Sequence, residues 1–340
     1  MKKGPYISDS TLRDGSHAMR HKFEKSQIEA YAKAAEEAKI PSITVGHGNG
    51  LGASSIQIGK SLVNDYDFVK TAYDQLSNTE LAVFLIPGFG TVRDDVMPVL
   101  DMIDTIFAAS HCSETDTTQS HIEFAVKNGK KAWGVMMMTH MLQPDELLVH
   151  AKKMQSYGAN GILLMDSAGT LLNEDVKARI STLSNSLDID VGFHAHNNLG
   201  LAVSNSLTAF ESGAKMIDCT MRGFGAGAGN CPLEVLAAAL QKQGYCTGMD
   251  LYKVMDISQD IVAPMMKKPQ EISRTSLASG LAGVFSGFCP LAEKAAERFH
   301  VDSRDILMEL GKRKIVAGQE DYIIQIASEL AQKKNSKGES

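Results

Sequence analysis

The sequence lacks several features that mark common classes of protein. Its five cysteines are an odd number and include no CxxC pair, which argues against a disulfide framework and against a cysteine-based zinc site. Lysine and arginine are scattered along the chain and the formal net charge is −6, so we expect no binding to nucleic acid. No apolar run approaches the roughly 18 to 20 residues that cross a bilayer. We therefore expect a protein that contacts neither nucleic acid nor membrane.

The first residues also lack the apolar segment of a secretory signal. Met1 to Pro5 is short and leads directly into a predicted strand, so we expect a cytoplasmic protein. With 340 residues, of which 44% are hydrophobic, the chain can bury a large core. These values favour one large domain with a smaller appended region.

Two histidines separated by one residue are the most informative feature that is present. His194 and His196 lie in the segment DVGFHAHNN, where an apolar stretch becomes polar. On an extended strand, residues two apart point to the same side, so both imidazoles could bind one divalent cation. Half-buried histidines that bind nothing can have the same spacing, so a third ligand is needed.

Asp14 is the best candidate for that third ligand. It follows an apolar segment starting at Tyr6, which we predict to be a strand, and Gly15 permits a tight turn after it. One carboxylate and two imidazoles suit Mn²⁺, Co²⁺, Zn²⁺ or Fe²⁺ and leave positions for substrate and water. The alternative is a structural ion pair between Asp14 and the adjacent Arg13.

Short apolar runs alternate with amphipathic stretches along most of the chain, which is typical of repeated βα units. Eight such units favour a closed (β/α)8 TIM barrel over an open sheet. The stretch from Lys25 to Ala38, for example, has the apolar spacing of a helix that covers a sheet. The predicted strands are Tyr6 to Thr11, Ser42 to Gly46, Leu81 to Ile86, Ile103 to Ala108, Ala132 to Met138, Gly161 to Met165, Asp190 to His194 and Met216 to Thr220.

Histidines, carboxylates and glycines follow most of the predicted strands. In a TIM barrel the loops after the strands form the active site, so this concentration predicts an enzyme whose site lies at that rim. The segment GFGAGAGN, which ends at Asn230, lacks the sequence context of a nucleotide-binding loop. We expect its glycines to let the loop approach the metal site, and Asn230 to lie in the outer metal shell.

The βα alternation stops near residue 262. We therefore predict a catalytic barrel over residues 1–262 and a helical C-terminal domain over residues 263–340. Amphipathic stretches at Leu291 to Phe299, Ser303 to Leu310 and Tyr322 to Leu330 predict helices with apolar faces that must be buried against something.

Five segments together resemble one known family. They are TLRDGSH at Thr11, VGHG at Val45, DSAG at Asp166, HAHNNLG at His194 and GAGAGN at Gly225. The chain is similar to the 4-hydroxy-2-oxovalerate aldolases, within the group that includes 3-hydroxy-3-methylglutaryl-CoA lyase and isopropylmalate synthase. TLRDG and HxH mark the larger group, whereas the following Ser16-His17 points to the aldolases.

The resemblance implies a class II aldolase that cleaves a 4-hydroxy-2-oxoacid reversibly to pyruvate and an aldehyde. It implies a divalent metal, usually Mn²⁺ with Co²⁺ or Mg²⁺ as alternatives, bound by Asp14, His194 and His196. Arg13 would stabilise the enolate oxygen. His17 would be the acid/base group for the C4 hydroxyl.

The same resemblance implies how the substrate is held. Ser167 would hydrogen-bond the substrate carboxylate, and Arg13 and His194 would also contact the substrate. The aldolases typically have a YAGVYSSF-like segment, whereas this chain has LAGVFSGF from Leu281 to Phe288. We place Phe285 at the active-site tyrosine, with Leu281 as the other match, so the aldehyde pocket or its stereochemistry could differ from the family pattern.

Two other functions share these features. A Claisen-type acyl-CoA lyase or synthase would keep the metal site but would need a surface for coenzyme A and a different acid/base set. A regulatory binding subunit of an aldehyde dehydrogenase would not need the intact set of polar residues. The resemblance further implies that the helical region docks an acylating aldehyde dehydrogenase, and we expect an oligomer.

Overall fold

Eight parallel strands form the centre of the protein. The structure is a computed structural model and describes residues 2–338. Each strand pairs with its neighbours in sequence, and the last pairs with the first, so the predicted (β/α)8 TIM barrel is confirmed. The strands are β1 (Tyr6–Asp9), β2 (Ser42–Val45), β3 (Glu80–Leu85), β4 (Thr105–His111), β5 (Lys131–Met137), β6 (Gly161–Asp166), β7 (Asp190–Ala195) and β8 (Met216–Cys219).

Both faces of the strands are buried, which explains their nearly continuous apolar sequences. On β6, Ile162 and Leu164 belong to the large apolar cluster that the barrel shares with its helices. Leu163 and Met165, the alternate residues, belong to a smaller cluster that includes Phe107. The period of two in a strand therefore separates the layer under the helices from the barrel interior.

Helices cover the outside of the barrel. In α2, Ile28, Tyr31, Ala32 and Ala35 are buried, as the helical spacing of that stretch predicts. The helices up to residue 265 are α1 (Thr11–Ala18), α2 (Lys25–Glu37), α3 (Asp65–Tyr73), α4 (Gln119–Lys127), α5 (Pro144–Ser156), α6 (Asn173–Ser184), α7 (Ala202–Glu211), α8 (Leu233–Lys242), α9 (Leu251–Asp256) and α10 (Ala263–Met265).

The first strand is shorter than its sequence predicts. β1 ends at Asp9, and Thr11 begins α1, so the prediction of a strand through Thr11 was wrong. The carboxylate of Asp9 accepts a hydrogen bond from the backbone N–H of Thr11 at 2.9 Å and others from the Thr11 and Tyr31 hydroxyls. This turn ends the strand, and it places Asp14 in the first turn of a helix.

Four helices follow the barrel and have an apolar core of their own. That core includes Val284, Phe288, Ile306, Leu310 and Ile326. The three amphipathic stretches predicted in this part of the chain are all helical, because their apolar faces pack against one another. The helices are α11 (Arg274–Ala282), α12 (Cys289–Phe299), α13 (Ser303–Lys312) and α14 (Asp321–Gly338).

A membrane-spanning element is absent from the helices of residues 2–338. None of them is both long enough and apolar enough to cross a bilayer.

Candidate active site

Asp14, His194 and His196 come together at the carboxyl-terminal rim of the barrel. Each offers a ligand atom, and these atoms lie within 4.8 Å of one another. His194 is on β7, His196 follows it in a bridge to Asn230, and Asp14 comes from α1. The fold therefore joins ligands that are about 180 residues apart in sequence, and the group is a candidate site for a divalent metal.

The hydrogen bonds of the two histidines leave the same ring nitrogen of each available. His194 Nδ1 lies 2.6 Å from a carboxylate oxygen of Asp218, and His196 Nδ1 lies 3.0 Å from the backbone carbonyl of Asp166. Since these partners accept hydrogen bonds, Nδ1 carries the proton in both rings and Nε2 keeps its lone pair. His194 Nε2 is buried and has no hydrogen-bond partner among the described residues. A buried, unpaired imidazole nitrogen beside a carboxylate fits a metal ligand.

Asp14 is held as a carboxylate by its neighbours. Arg13 Nη1 donates to Asp14 Oδ1 at 2.7 Å, and Asn230 Nδ2 donates to Oδ2 at 2.6 Å. Burial alone raises the pKa of Asp14, but the Arg13 guanidinium and the nearby imidazoles outweigh it and hold the pKa far below its usual range. The ion pair that the sequence offered as an alternative to metal binding is therefore present, and it leaves Asp14 charged and suited to a cation.

Asn230 and Gly225 show why the glycine-rich loop has its composition. The side-chain oxygen of Asn230 is buried without a hydrogen-bond partner among the described residues, while its nitrogen contacts Asp14. A Cβ atom at position 225 would lie 2.2 Å from both Asp14 Oδ2 and Asn230 Nδ2. A glycine is needed here because any side chain would collide with this pair.

Asp218 is a central residue of the site that sequence reasoning missed. Its carboxylate accepts hydrogen bonds from the hydroxyl of Ser10, at 2.8 Å, and lies 3.9 Å from Arg13 Nη2. It therefore fixes the tautomer of His194 and also neutralises part of the Arg13 charge. The signal in the sequence was an acidic residue at an alternating position within the apolar strand β8.

Arg13 has a defined orientation towards the interior of the rim. Its guanidinium lies over the ring of Phe84, 4.6 Å from the ring centroid, and Nη1 lies 3.5 Å from the carbonyl of Gly48. Its Nε is buried without a hydrogen-bond partner within residues 2–338. Arg13 therefore retains a donor for a bound molecule.

His17 lies one turn beyond Asp14 in α1, within a cluster of three histidines. The His17 ring is 5.4 Å from that of His21, which stacks on His47 at 3.6 Å. Burial lowers the pKa of all three, to about 3 for His21 and about 4 for His47. A Cβ atom at Gly48 would lie 2.6 Å from His17 Nε2, so the glycine gives this ring its space. His17 is therefore neutral near pH 7 and able to accept a proton.

Ser167 contacts Ser286, the residue that follows Phe285. The hydroxyl of Ser167 accepts a hydrogen bond from the N–H of Met138 at 3.0 Å, and its carbonyl accepts one from the N–H of Ser286 at 3.2 Å. The half-buried ring of Phe285 packs edge-on against Phe288, 5.7 Å away, beside the core of the C-terminal helices. Ser286, which sequence reasoning missed, brings this segment to the rim.

Two family models together match most of the chain. Residues 4–261 match the HMGL-like family, and residues 270–332 match the DmpG-like communication domain. The interval between the two matches includes the predicted domain boundary at residue 262.

Several relatives are similar over nearly their whole length. A 4-hydroxy-2-oxovalerate aldolase from Pectobacterium atrosepticum is 49% identical over 334 residues, covering 98% of this chain and 97% of that protein. One from Spirochaeta aurantia is 46% identical over 330 residues, covering 97% of each chain.

Solved structures with lower identity share the fold. The N-terminal domain of a putative aldolase from Bacteroides vulgatus has a TM-score of 0.73 at 24% identity, covering 88% of this chain and 98% of that one. The carboxyl transferase domain of pyruvate carboxylase from Rhizobium etli has a TM-score of 0.81 at 15% identity, covering 98% of this chain and 61% of that one. These structures show the fold alone, whereas the family models and the full-length relatives show the family. This chain belongs to the 4-hydroxy-2-oxovalerate aldolases, carbon-carbon lyases of the HMGL-like group.

Proposed function

We propose that this protein cleaves a 4-hydroxy-2-oxoacid, such as 4-hydroxy-2-oxovalerate, to pyruvate and an aldehyde, reversibly and with a divalent metal. The observation that carries the proposal is the unpaired Nε2 of His194 beside His196 and the Asp14 carboxylate. A buried nitrogen without a hydrogen-bond partner lowers the stability of the fold unless a bound ligand occupies its lone pair. Family membership supports the same reaction.

Asp14, His194 and His196 would hold the metal, with Asn230 in its outer shell. One carboxylate and two imidazoles accept several first-row metals, and the resemblance to the aldolases favours Mn²⁺, with Co²⁺ or Mg²⁺ as alternatives. When bound, the cation would polarise the keto and carboxylate oxygens of the substrate. Asp218 and the Asp166 carbonyl keep both Nε2 atoms directed at this position.

Arg13 supplies positive charge where the reaction generates negative charge. When the C3–C4 bond of the substrate breaks, the electron pair moves into the 2-oxo group and gives the enolate of pyruvate, which then takes up a proton at C3 to become pyruvate. A guanidinium fixed by Asp14 and Phe84 stabilises that charge without reorganisation. The carboxylate of Asp218 neutralises part of the guanidinium charge and helps to keep the guanidinium in this orientation.

His17 moves the proton of the C4 hydroxyl. As a neutral imidazole, His17 accepts this proton when the aldehyde forms. In the condensation direction His17 returns the proton to the C4 oxygen. Ser167 hydrogen-bonds the substrate carboxylate, since its oxygen already accepts from Met138 and its O–H remains to donate. Phe285 keeps an aromatic ring but offers no hydroxyl to the aldehyde pocket.

The C-terminal helices would dock an acylating aldehyde dehydrogenase, so that the aldehyde passes on without release. The match to a communication domain supports this partner. Leu277 and Leu281, one turn apart on α11, are 48% and 70% exposed and would form part of the contact. Co-expression with the dehydrogenase, followed by size-exclusion chromatography with light scattering, measures the complex and the oligomeric state of this protein. If the two proteins never co-elute at micromolar concentration, the proposed partner is wrong.

The reaction is tested by pyruvate release after complete chelation and addition of single metals. We expect Mn²⁺ to restore activity towards a panel of 4-hydroxy-2-oxoacids that differ in chain length and C4 configuration. CoA thioesters in the same panel test the alternative Claisen-type reaction. Cleavage of a thioester to a shorter acyl-CoA, or its condensation with a 2-oxoacid with release of free CoA, in the absence of pyruvate release would replace the aldolase proposal by that alternative.

A further inference from the structure

Asn198 joins three loops of the catalytic rim. Its Nδ2 donates to the carbonyl of Ala168 at 2.9 Å, in the loop after β6 that carries Ser167. Its Oδ1 accepts from the N–H of Ala228 at 3.0 Å, in the glycine-rich loop after β8. Asn198 itself follows His196 in the loop after β7, and it is fully buried. One amide therefore fixes the relative positions of the three loops.

Ser286 connects the C-terminal helices to this junction. Its hydroxyl accepts the second hydrogen bond from Asn198 Nδ2, at 2.8 Å, and donates to the carbonyl of Ser167 at 3.0 Å. The N–H of Ser286 donates to the same carbonyl. Three residues earlier, the carbonyl of Gly283 lies 2.9 Å from His140 Nε2, in the loop after β5. The C-terminal segment is thus attached to the rim at two points.

The packing around this junction leaves little room for adjustment. A Cβ atom at Gly227 would lie 2.7 Å from Asn198 Oδ1 and 3.0 Å from the Ser286 Cβ. A Cβ atom at Gly169 would lie 2.9 Å from the backbone nitrogen of Asn198. Both glycines have positive φ angles, so the loops fold tightly against Asn198. A shift of Ser286 would therefore move the loop of Ser167 rather than be absorbed locally.

We propose that Ser286 and Asn198 are positioning residues for the aldolase reaction: through them the C-terminal helices hold the loop of Ser167 in register with the metal ligand His196. The inference rests on the proposed roles of Ser167 and His196. It gives the communication region a direct mechanical connection to the substrate carboxylate. Neither residue touches the reacting atoms, so each acts through the loops it joins.

Ser286→Ala tests this connection, and Ser279→Ala is its matched control. Ser279 is also fully buried, and its hydroxyl donates to the carbonyl of Val284 at 2.7 Å, within the C-terminal helices alone. Ser286→Ala loses two buried hydroxyl hydrogen bonds and Ser279→Ala loses one, so both variants should have a lower melting temperature. We expect only Ser286→Ala to raise KM for the 2-oxoacid, by about fivefold to tenfold.

Binding measurements separate this inference from the proposed function. Electron paramagnetic resonance gives the Mn²⁺ affinity of each variant, and pyruvate binding to the Mn²⁺-loaded protein gives the substrate affinity without turnover. We expect Ser286→Ala to weaken pyruvate binding, while Ser279→Ala binds pyruvate as the parent does. An active parent with equal pyruvate affinity in the two variants would overturn the positioning role alone. A parent that neither binds Mn²⁺ nor releases pyruvate would overturn the proposed function, and this inference with it.

Asn198→Asp provides a second variant with the same shape. The new carboxylate still accepts from the N–H of Ala228, but it cannot donate to Ala168 or Ser286. We expect a larger rise in KM than in Ser286→Ala, because Asn198→Asp also loses the bond to Ala168 that joins the loop of His196 directly to the loop of Ser167. A folded Asn198→Asp protein with parental KM would overturn the proposal.

Discussion

The two ends of the barrel contain charged residues of very different character. At the carboxyl-terminal end, Arg13, Asp14 and Asp218 are each no more than 3% exposed and lie around histidines whose ring nitrogens are fixed. At the amino-terminal end, a cavity of about 1230 Å³ is open to solvent and lined by lysines, acidic residues and the aromatic rings of Phe107 and Trp133. The wide cavity thus lies opposite the candidate site. Here, buried and incompletely paired polar atoms identify the chemistry better than cavity size does.

The energetic reason is the cost of burying charge. An ion pair buried in a closed rim loses its hydration, and other polar groups must compensate for that loss. A barrel with a purely structural role has no need of such a buried pair. At the other end, Lys131 pairs with Glu80 while 54% and 30% of their side chains stay exposed. Water screens such a pair, so the pair loses little hydration when it forms and contributes little to the stability of the fold.

The largest effect should come from removing a metal ligand at the carboxyl-terminal end. We expect His196→Ala to lose both Mn²⁺ binding and turnover, because two ligands cannot replace the missing nitrogen. Metal content after chelation and Mn²⁺ addition, measured together with pyruvate release, checks this. His121→Ala, on α4 and outside the group of candidate ligands, is the control and should retain both. Full metal content and turnover in His196→Ala would show that the site assignment is wrong.

Arg13→Ala should have the next largest effect, on turnover more than on binding. The enolate gains its charge only as the bond breaks, and removing such a donor typically costs roughly 2.7 to 4 kcal/mol in the transition state. We therefore expect kcat to fall about 100-fold to 1000-fold, measured by steady-state pyruvate release with saturating Mn²⁺. A normal kcat with a raised KM would instead assign Arg13 to ground-state binding.

The sequence predicted the barrel well because strand and helix periodicities are local. It also predicted Asp14, His194 and His196 as a group, since parallel strands of a barrel end at one rim. It missed the end of β1, where Asp9 accepts hydrogen bonds both from Thr11, two residues away, and from Tyr31 in another element. Short-range patterns contain no information on the contact with Tyr31.

The supporting residues of the site were missed for the same reason. Asp218 touches Ser10, which is 208 positions away, and Asn198 touches Ser286, which is 88 positions away. Each is an ordinary polar residue in its own segment. Its role exists only after the barrel closes and the C-terminal helices return to the rim.

Acid should destabilise the metal-free protein through the histidines of the same rim. His47 donates from Nε2 to the carbonyl of Gly59 and accepts at Nδ1 from Asn49, and burial lowers its pKa to about 4. In the unfolded chain a histidine binds its proton near pH 6.5, so the folded state loses stability as the pH falls from about 6.5 to about 4.

His47→Gln removes this titration and tests its contribution. We expect the free energy of unfolding, measured with urea and a chelator at pH 7.5 and pH 5.0, to fall less in the variant than in the parent. His21, which stacks on His47 and has a pKa of about 3, should account for part of the remaining loss. Equal losses in parent and variant would contradict the prediction.

The smallest effect should come from the amino-terminal end. Lys131→Met and Glu80→Gln each break the exposed pair, and we expect a change in unfolding free energy of about 1 kcal/mol or less. Both should leave kcat and KM for the 2-oxoacid unchanged, because the cavity and the candidate site are separated by the interior layer that contains Phe107 and Leu163. Steady-state kinetics and urea unfolding of the two variants check this. A fall in kcat/KM of tenfold or more in either variant, with stability unchanged, would mean that the amino-terminal cavity takes part in the reaction and that buried charge alone does not mark the functional end of this barrel.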